Sequence, residues 1–256
     1  MEPLLLAALV AAAFLSGGIN AVAGGGTFLT FPLLIAGGLE SRIANATSTL
    51  ALWPASLASV FGFRDELRHQ RRTFVVLGLV SAVGGVAGAL LLVLTPERTF
   101  NGLVPWLLLA ATLIFAFGPS ISKGLHARGR PDPHGAGALA AMALVQLPIA
   151  VYGGYFGAGI GILMLAMMTA LGLEDLNAMN GLKAILGAII NVMALAVFAA
   201  RGLIDWGVAL PMVIGAVAGG YAGARVSRKV DRRVLRAVII GIGAVLTIVF
   251  FGRAHA

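Results

Sequence analysis

The sequence predicts an all-α polytopic membrane protein built from two inverted-topology repeats, each with about five helical segments that include a short broken or re-entrant helix. Three observations support this fold class. The 256 residues are 59% hydrophobic and only 11% charged, too few polar residues to cover the surface of a soluble domain. Apolar runs of about 20 residues, the length of a helical span, recur along the chain. The basic residues cluster in short loops between these runs.

The predicted spans follow one another with few polar interruptions. They are Pro3 to Val22, Ile43 to Phe63, Thr73 to Leu94, Phe100 to Phe117, Gly137 to Tyr155, Asn180 to Ala200, Trp206 to Val226 and Val234 to Phe251. Two apolar pieces, Gly26 to Gly37 and Gly159 to Gly172, are too short to cross unaided. Because a glycine cluster joins each piece to the helix before it, we expect each to be a returning half-helix.

The two halves of the chain resemble each other in sequence. The segment Gly84 to Ala89 reappears as Gly219 to Ala224, and three more matches follow in order at offsets of 133 to 135 residues. They are Gly24-x-Gly26 with Gly157-x-Gly159, Gly38-Leu39-Glu40 with Gly172-Leu173-Glu174, and Asn45 with Asn180. Ordered recurrence indicates a duplication. It predicts a first membrane repeat over 1–119, a cytoplasmic linker over 120–135 and a second membrane repeat over 136–256.

Charge predicts the orientation of these repeats. Three loops hold most of the 18 basic residues and are expected on the cytoplasmic side. Their basic residues are Arg64, Arg68, Arg71, Arg72, Lys123, Arg128, Arg130, Arg225, Arg228, Lys229, Arg232, Arg233 and Arg236. The loops at the positions equivalent to the first and third are nearly neutral, so equivalent loops lie on opposite faces, which defines an inverted repeat. With each broken element counted as a helix plus a returning half-helix, each repeat has five segments and the chain has ten. With the basic loops on the cytoplasmic side, both termini then lie outside.

Composition also narrows the function classes. The chain has no cysteine, and its four histidines lie in polar connections or at the tail, so we expect no metal and no cofactor. The net charge of +8 is spread over membrane-flanking loops, which does not favour nucleic-acid binding. The apolar start resembles a signal-peptide core, but Glu2 precedes it and apolar sequence follows, so it is interpreted as the first span.

The candidate site lies where the two half-helices begin. A helix N-terminus inside a membrane presents free N–H groups to an anion, and glycine lets a ligand approach the backbone. Polar residues that begin the following spans join the candidate set. The predicted substrate-binding residues are Gly24, Gly25, Gly26, Thr27, Asn45, Thr47, Ser48, Thr49, Gly157, Ala158, Gly159, Asn180 and Lys183. For each glycine run the alternative is helix packing, and for the amides and hydroxyls it is interhelical hydrogen bonding.

Lys183 is the basic side chain that lies well inside a predicted span. An ammonium in hydrocarbon costs roughly 3 kcal/mol or more, so such residues usually face a polar cavity, although Lys183 can also snorkel to the interface. No acid lies in a span core, which disfavours a proton relay or a cation site. The polar centre is therefore cationic and amidic, which suits an oxyanion.

Two other classes of function remain open from the residues. A retinal-type chromophore protein would use Lys183 for a Schiff base, but it would need a carboxylate counter-ion in a span. An intramembrane enzyme would use Ser48 or Ser56 as nucleophile, but no His or acid lies in a span to act as base. We therefore expect a transporter and not an enzyme.

Several motifs carry a family resemblance. Gly24-Gly25-Gly26 followed by Pro32, the Asn45-Ala46-Thr47-Ser48 helix start, and Tyr152 to Gly159 with Asn180-x-x-Lys183 resemble the sulfite exporter TauE/SafE family, also called the toluene sulfonate uptake permease family, over essentially the whole chain. The resemblance implies an inner-membrane permease that moves sulfite, sulfonates or related sulfur oxyanions outward. Besides that anion, the expected partner is membrane lipid. The Gly84 to Gly88 and Gly219 to Gly223 faces serve either internal packing or a homodimer.

The topology yields a direct prediction. Residues 64–72, 120–135 and 227–233 should face the cytoplasm. Single cysteines introduced at Gln70, Gly129 and Asp231 of the cysteine-free chain should therefore be shielded from an impermeant thiol reagent in intact cells and should react after lysis. Labelling of the Asp231 position from outside would contradict the inverted arrangement.

Overall fold

The computed structural model describes residues 3–22, 26–62, 71–126, 136–173, 175–226 and 232–254, and within these ranges the chain is entirely helical. The predicted all-α class is confirmed. The ten helices are α1 (Pro3–Val22), α2 (Thr27–Ala36), α3 (Ser41–Gly62), α4 (Arg71–Leu94), α5 (Glu97–His126), α6 (Ala136–Tyr155), α7 (Ile160–Ala170), α8 (Leu176–Ala200), α9 (Trp206–Val226) and α10 (Arg232–Ala254). The three labelling positions, Gln70, Gly129 and Asp231, and most of the three basic loops lie outside the described residues.

Within the described ranges, 6 helices are long and apolar enough to cross a membrane. Their apolar windows are Pro3–Asn20, Arg71–Leu94, Glu97–Phe117, Gly137–Tyr155, Ala178–Ala200 and Trp206–Gly223. Large apolar side chains cover the outer faces of these helices; Leu79 is 66% exposed and Ile214 is 73% exposed. Because such faces need an apolar solvent, the chain is a multi-pass membrane protein.

Two predicted spans differ from this set. Helix α3 has 22 residues and is long enough, but polar residues in its first turns lower its mean hydropathy. Those side chains do not face lipid, because Asn45, Thr47 and Ser48 are all buried between helices. Helix α10 begins with basic residues, so its apolar part is confined to Ala237–Gly252.

The two short helices have the predicted bounds to within two residues and end in the same way. Gly38 follows α2 and Gly172 follows α7, and both have φ of +92°. The next N–H in each case donates to a carbonyl in the last turns of its helix, Leu39 to Leu34 at 3.1 Å and Leu173 to Met168 at 3.0 Å. Glycine is favoured there because side chains with a Cβ rarely adopt this left-handed conformation.

Close helix pairs depend on glycine. Helix α1 packs against α9, where a Cβ on Gly219 would overlap the carbonyl oxygen of Phe14 and one on Gly223 would lie 2.5 Å from Gly18 Cα. Helix α6 packs against α4 in the same manner, since a Cβ on Gly88 would overlap the carbonyl oxygen of Val151. These contacts bring backbones together at distances that only small residues permit. Both glycine faces are thus used for internal packing.

The remaining contacts join α3, α5 and α10 to the other helices. Helix α3 contacts α8, and the indole N–H of Trp53 donates to the carbonyl of Ala188 at 3.2 Å. Helix α5 packs against α10 and α7, while α10 also reaches α2. Glu97 at the start of α5 accepts from the Ser41 N–H at 2.6 Å and from Arg42 Nε at 2.8 Å. The α3 N-terminus, with Asn45 one turn further on, is thereby fixed against α5.

The glycine contacts generate a stability prediction. Gly88→Leu should separate α4 from α6 and cost about 1 to 3 kcal/mol or more, since overpacking a close interface forces backbones apart. Gly241→Leu on α10 is the matched control, because nothing lies within 4 Å of a Cβ placed there. Thermal unfolding of the two variants in the same detergent should show a lowered midpoint for Gly88→Leu only. Equal midpoints would mean that the α4–α6 contact is not close in the protein.

Candidate functional site

The first break precedes α2. Gly26 caps this helix, and its carbonyl accepts from the N–H groups of Leu29 at 3.1 Å and Thr30 at 3.4 Å. A Cβ on Gly26 would lie 2.6 Å from the carbonyl oxygen of Ser16, so α2 begins pressed against α1. Thr27 opens the helix. The predicted residues Gly24 and Gly25 lie outside the described residues.

Ser48 reaches this first break from α3. Its Oγ and Thr30 Oγ1 are 2.6 Å apart, and both residues are fully buried. Either hydroxyl can be the donor of that hydrogen bond. The structure therefore brings Ser48 to the first turn of α2. Both hydroxyls hydrogen-bond each other in this conformation, so a ligand would have to compete with that bond.

The second break, Phe156 to Gly159, is described in full. Gly157 and Gly159 both have φ of +80°, and the Tyr152 hydroxyl donates to the carbonyl of Ala158 at 2.8 Å. The Ile162 N–H donates to Gly159 O at 3.1 Å. Among the described residues, the N–H groups of Ile160 and Gly161 have no acceptor. The start of α7 thus retains two N–H groups with no partner in the described part of the chain.

Asn45 joins the two halves at this second break. Its Nδ2 donates to the carbonyl of Tyr155, the last residue of α6, at 3.0 Å. The residue is only 1% exposed, and its Oδ1 is buried with no hydrogen-bond partner. A polar atom in that state is costly and is usually explained by a missing water, ligand or functional role.

Lys183 lies at the first turn of α7. Its Nζ donates to Asn180 Oδ1, one turn earlier on α8, at 3.1 Å. A Cβ on Gly161 would lie 3.2 Å from Lys183 Cδ, so the lysine stem runs along the glycine. The structure therefore brings Asn180 and Lys183 together and packs the lysine stem against the first turn of α7.

Two predicted residues have other contacts. Thr47 Oγ1 accepts from the N–H of Asp205, in the connection between α8 and α9, at 3.1 Å. Thr49 Oγ1 donates to the carbonyl of Asn45 in its own helix at 2.8 Å. Both hydroxyls therefore have partners within the protein in this conformation.

Some residues of the site gave no clear sequence signal. Gly161 packs against the Lys183 stem, and the Tyr155 carbonyl accepts from Asn45. Both contacts depend on where the backbone lies in the fold, which the residue type does not reveal. The Tyr152 to Gly159 motif was the only pointer to Tyr152 and Tyr155. These two tyrosines also line an apolar groove of about 570 Å³ on the outer side of α4 and α6, with Leu91, Leu147, Pro148 and Val151. The groove has no charged lining and does not suit an anion.

Three features lie at or next to the second break. The Ile160 and Gly161 N–H groups have no described acceptor, the Lys183 stem packs against Gly161, and Asn45, bonded to the last residue of α6, has an amide oxygen without a partner. Positive charge and N–H groups at a helix start favour an anion. Within the described ranges, no group of three or more His, Cys, Asp or Glu residues could hold a metal ion. A multi-pass helical protein with a buried, polar, non-metallic centre at a broken helix is typical of membrane transporters.

Comparison with known proteins identifies the family. The model of the family "Sulfite exporter TauE/SafE" matches residues 9–250, so the chain belongs to this family of transmembrane transporters. A probable membrane transporter protein, ORF9, of Sinorhizobium sp. is 32% identical over 213 residues, which cover 82% of this chain and 78% of the relative. A probable membrane transporter protein of Haemophilus influenzae is 31% identical over 216 residues, 83% of this chain and 81% of the relative. The Escherichia coli K12 protein YfcA, also described as a probable membrane transporter, is 29% identical over 223 residues, 84% of this chain and 78% of the relative. No solved structure matches the chain.

Proposed function

We propose that the protein is a secondary transporter of the inner membrane that exports a small sulfur-containing oxyanion, such as sulfite or a sulfonate, by alternating access. The observation that carries this proposal is Lys183 beside the first turn of α7, where the Ile160 and Gly161 N–H groups have no acceptor among the described residues. A cation and helix-start donors at one place favour an anion. The family description supports sulfur oxyanions as the substrate class.

Paired contacts support an inverted repeat. Helix α1 packs on α9 as α6 packs on α4, and α3 contacts α9 as α8 contacts α4. Individual residue contacts correspond in the same way. Gly219 contacts Phe14 and Gly223 contacts Gly18 between α9 and α1. Gly84 contacts Leu147 and Gly88 contacts Val151 between α4 and α6. The glycines of α4 and of α9 are 135 positions apart in sequence, and their partners on α1 and on α6 are 133 positions apart. A pseudo-twofold relation between the halves accounts for this correspondence.

The glycine contacts also bear on which parts move. Helix α1 belongs to the first repeat and α9 to the second, yet their backbones touch, and the same holds for α4 and α6. Sliding either pair apart would forfeit close packing along its length. The moving bundles in alternating access are therefore mixed, with each first helix remaining attached to the fourth helix of the other repeat. Motion between the bundles would expose the breaks to one side at a time.

The two other classes of function gain no support. A retinal Schiff base needs a carboxylate counter-ion within the membrane, and no Asp or Glu of the sequence lies in the core of a predicted span. Ser48 is hydrogen-bonded to Thr30, and Ser56 Oγ donates to Leu52 O at 3.2 Å and accepts from Asn20 Nδ2 at 2.9 Å. None of these partners is a general base for a serine nucleophile.

The charge at the site can be tested by one substitution. Lys183→Ala should weaken sulfite binding by roughly ten- to a hundredfold, because a charge-assisted hydrogen bond contributes about 1.5 to 3 kcal/mol. Arg201→Ala, which removes one exposed positive charge just beyond the same helix, is the matched control and should bind as the parent does. Binding is measured by calorimetry on purified protein, and export by sulfite flux from proteoliposomes under a set membrane potential.

Saturable, potential-dependent flux is the expected result for the parent chain. In Lys183→Ala, half-maximal flux should require a roughly ten- to a hundredfold higher sulfite concentration. Unchanged affinity in a well-folded Lys183→Ala variant would place the lysine outside the site. Flux that fails to saturate would indicate a channel and would contradict alternating access.

A further inference from the structure

The amide of Asn45 has an orientation that its contacts determine. Side-chain amide oxygen and nitrogen are hard to distinguish by shape alone, so their assignment rests on partners. The Tyr155 carbonyl can only accept, so the Asn45 atom 3.0 Å from it must be the donor Nδ2. Oδ1 is therefore the atom left buried without a partner. This oxygen accepts hydrogen bonds and cannot donate one.

A free acceptor is unexpected in a site for a fully deprotonated anion. The oxygens of such an anion carry only lone pairs, and they would repel Asn45 Oδ1. The N–H groups of Ile160 and Gly161 and the ammonium of Lys183 supply donors for oxygens that bear negative charge. One acceptor among several donors matches a ligand that has one proton to donate and several oxygens that accept.

Two other buried oxygens without partners do not compete with this interpretation. Ser16 Oγ belongs to a hydroxyl, which can itself donate by rotation. Gln146 Oε1 lies in the α4–α6 contact, where Gln146 Nε2 donates to Ser81 Oγ at 2.8 Å. Gln146 is more than two helical turns before the second break, so its oxygen does not face the start of α7.

We infer that the second break binds its anion in a protonated form, a monoanion whose O–H donates to Asn45 Oδ1 while its other oxygens accept from the start of α7 and from Lys183. This inference rests on the proposed function and specifies the substrate of that site. Hydrogensulfite has this chemistry, whereas the sulfite dianion and the alkanesulfonates lack the O–H. The proton then crosses the membrane on the substrate, and no protein carboxylate is needed to carry it.

The test compares two anions that differ at one position. Hydrogensulfite loses its proton close to neutral pH, whereas methanesulfinate has a methyl group in place of the O–H and remains a monoanion across this range. Binding of each anion to the purified full chain is measured by calorimetry from mildly acidic to alkaline pH. Sulfite affinity should fall about tenfold for each pH unit above its pKa, as the monoanion is depleted, and methanesulfinate should bind about tenfold or more weakly than hydrogensulfite.

Methanesulfinate also reports any titration of the protein itself. The described titratable or charged groups fall in two sets. Tyr155, Asp205 and Glu97 with Arg42 contact α3, and Lys183 and Tyr152 contact the second break. Any change in their charge alters the affinity for both monoanions alike. The ratio of the two affinities therefore isolates the proton on sulfite.

Asn45→Leu should remove the preference for hydrogensulfite over methanesulfinate. Gln146→Leu, which removes a second buried amide with an unpaired oxygen away from the break, should keep it. If Asn45→Leu does not fold, the pH dependence of the two affinities in the parent chain still tests whether the site binds the protonated anion. Parallel pH curves for the two anions, or a preference that Asn45→Leu retains, would overturn the inference and leave the proposed function standing. No binding or export of either anion at any pH would instead count against the proposed function.

Discussion

A helix that begins inside a bilayer has N–H groups that no water can satisfy, and this constraint shapes the protein. Each such group must find a partner in the protein or in a ligand. At the first break the hydroxyls of Thr30 and Ser48 lie at the helix start. At the second break the Ile160 and Gly161 N–H groups have no acceptor in the described part of the chain. The N–H groups of Thr27 and Phe28 at the first break likewise have no acceptor among the described residues. The second break differs because Lys183 stands where the first repeat has Ser48, and this positive charge makes it the better place for an anion.

Glycine makes this arrangement compatible with a small chain. The backbones of α1 and α9 touch at Gly219 and Gly223, as those of α4 and α6 touch at Gly88. Such contacts hold the long helices without large side chains and leave room for α2, α7 and the polar starts of α3 and α8 between them. Because each contact joins helices from different sequence halves, the pairs act as natural rigid units around the breaks.

Periodicity and apolar length are properties of local sequence, so the helices, the two short segments and their glycine stops were predictable. Glycine spacing also predicted the surfaces of closest approach, but not whether Gly84 to Gly88 meets a helix of the same chain or of a second copy. Partners across the fold carry no local signal. Nothing in residues 41–49 distinguishes Thr47, which meets Asp205 N, from Ser48, which meets Thr30. The free Oδ1 of Asn45 likewise depends on a carbonyl 110 positions away.

The central claim is that one anion binds at the second break, between the start of α7, Lys183 and Asn45. The most direct measurement is a crystal structure of the full chain grown with selenite, whose selenium gives an anomalous signal. We expect one peak with its oxygens within hydrogen-bond distance of the Ile160 or Gly161 N–H and of Asn45 Oδ1, and we expect this peak to vanish in Lys183→Ala. A peak at the first break, or at the basic loops alone, would contradict the account.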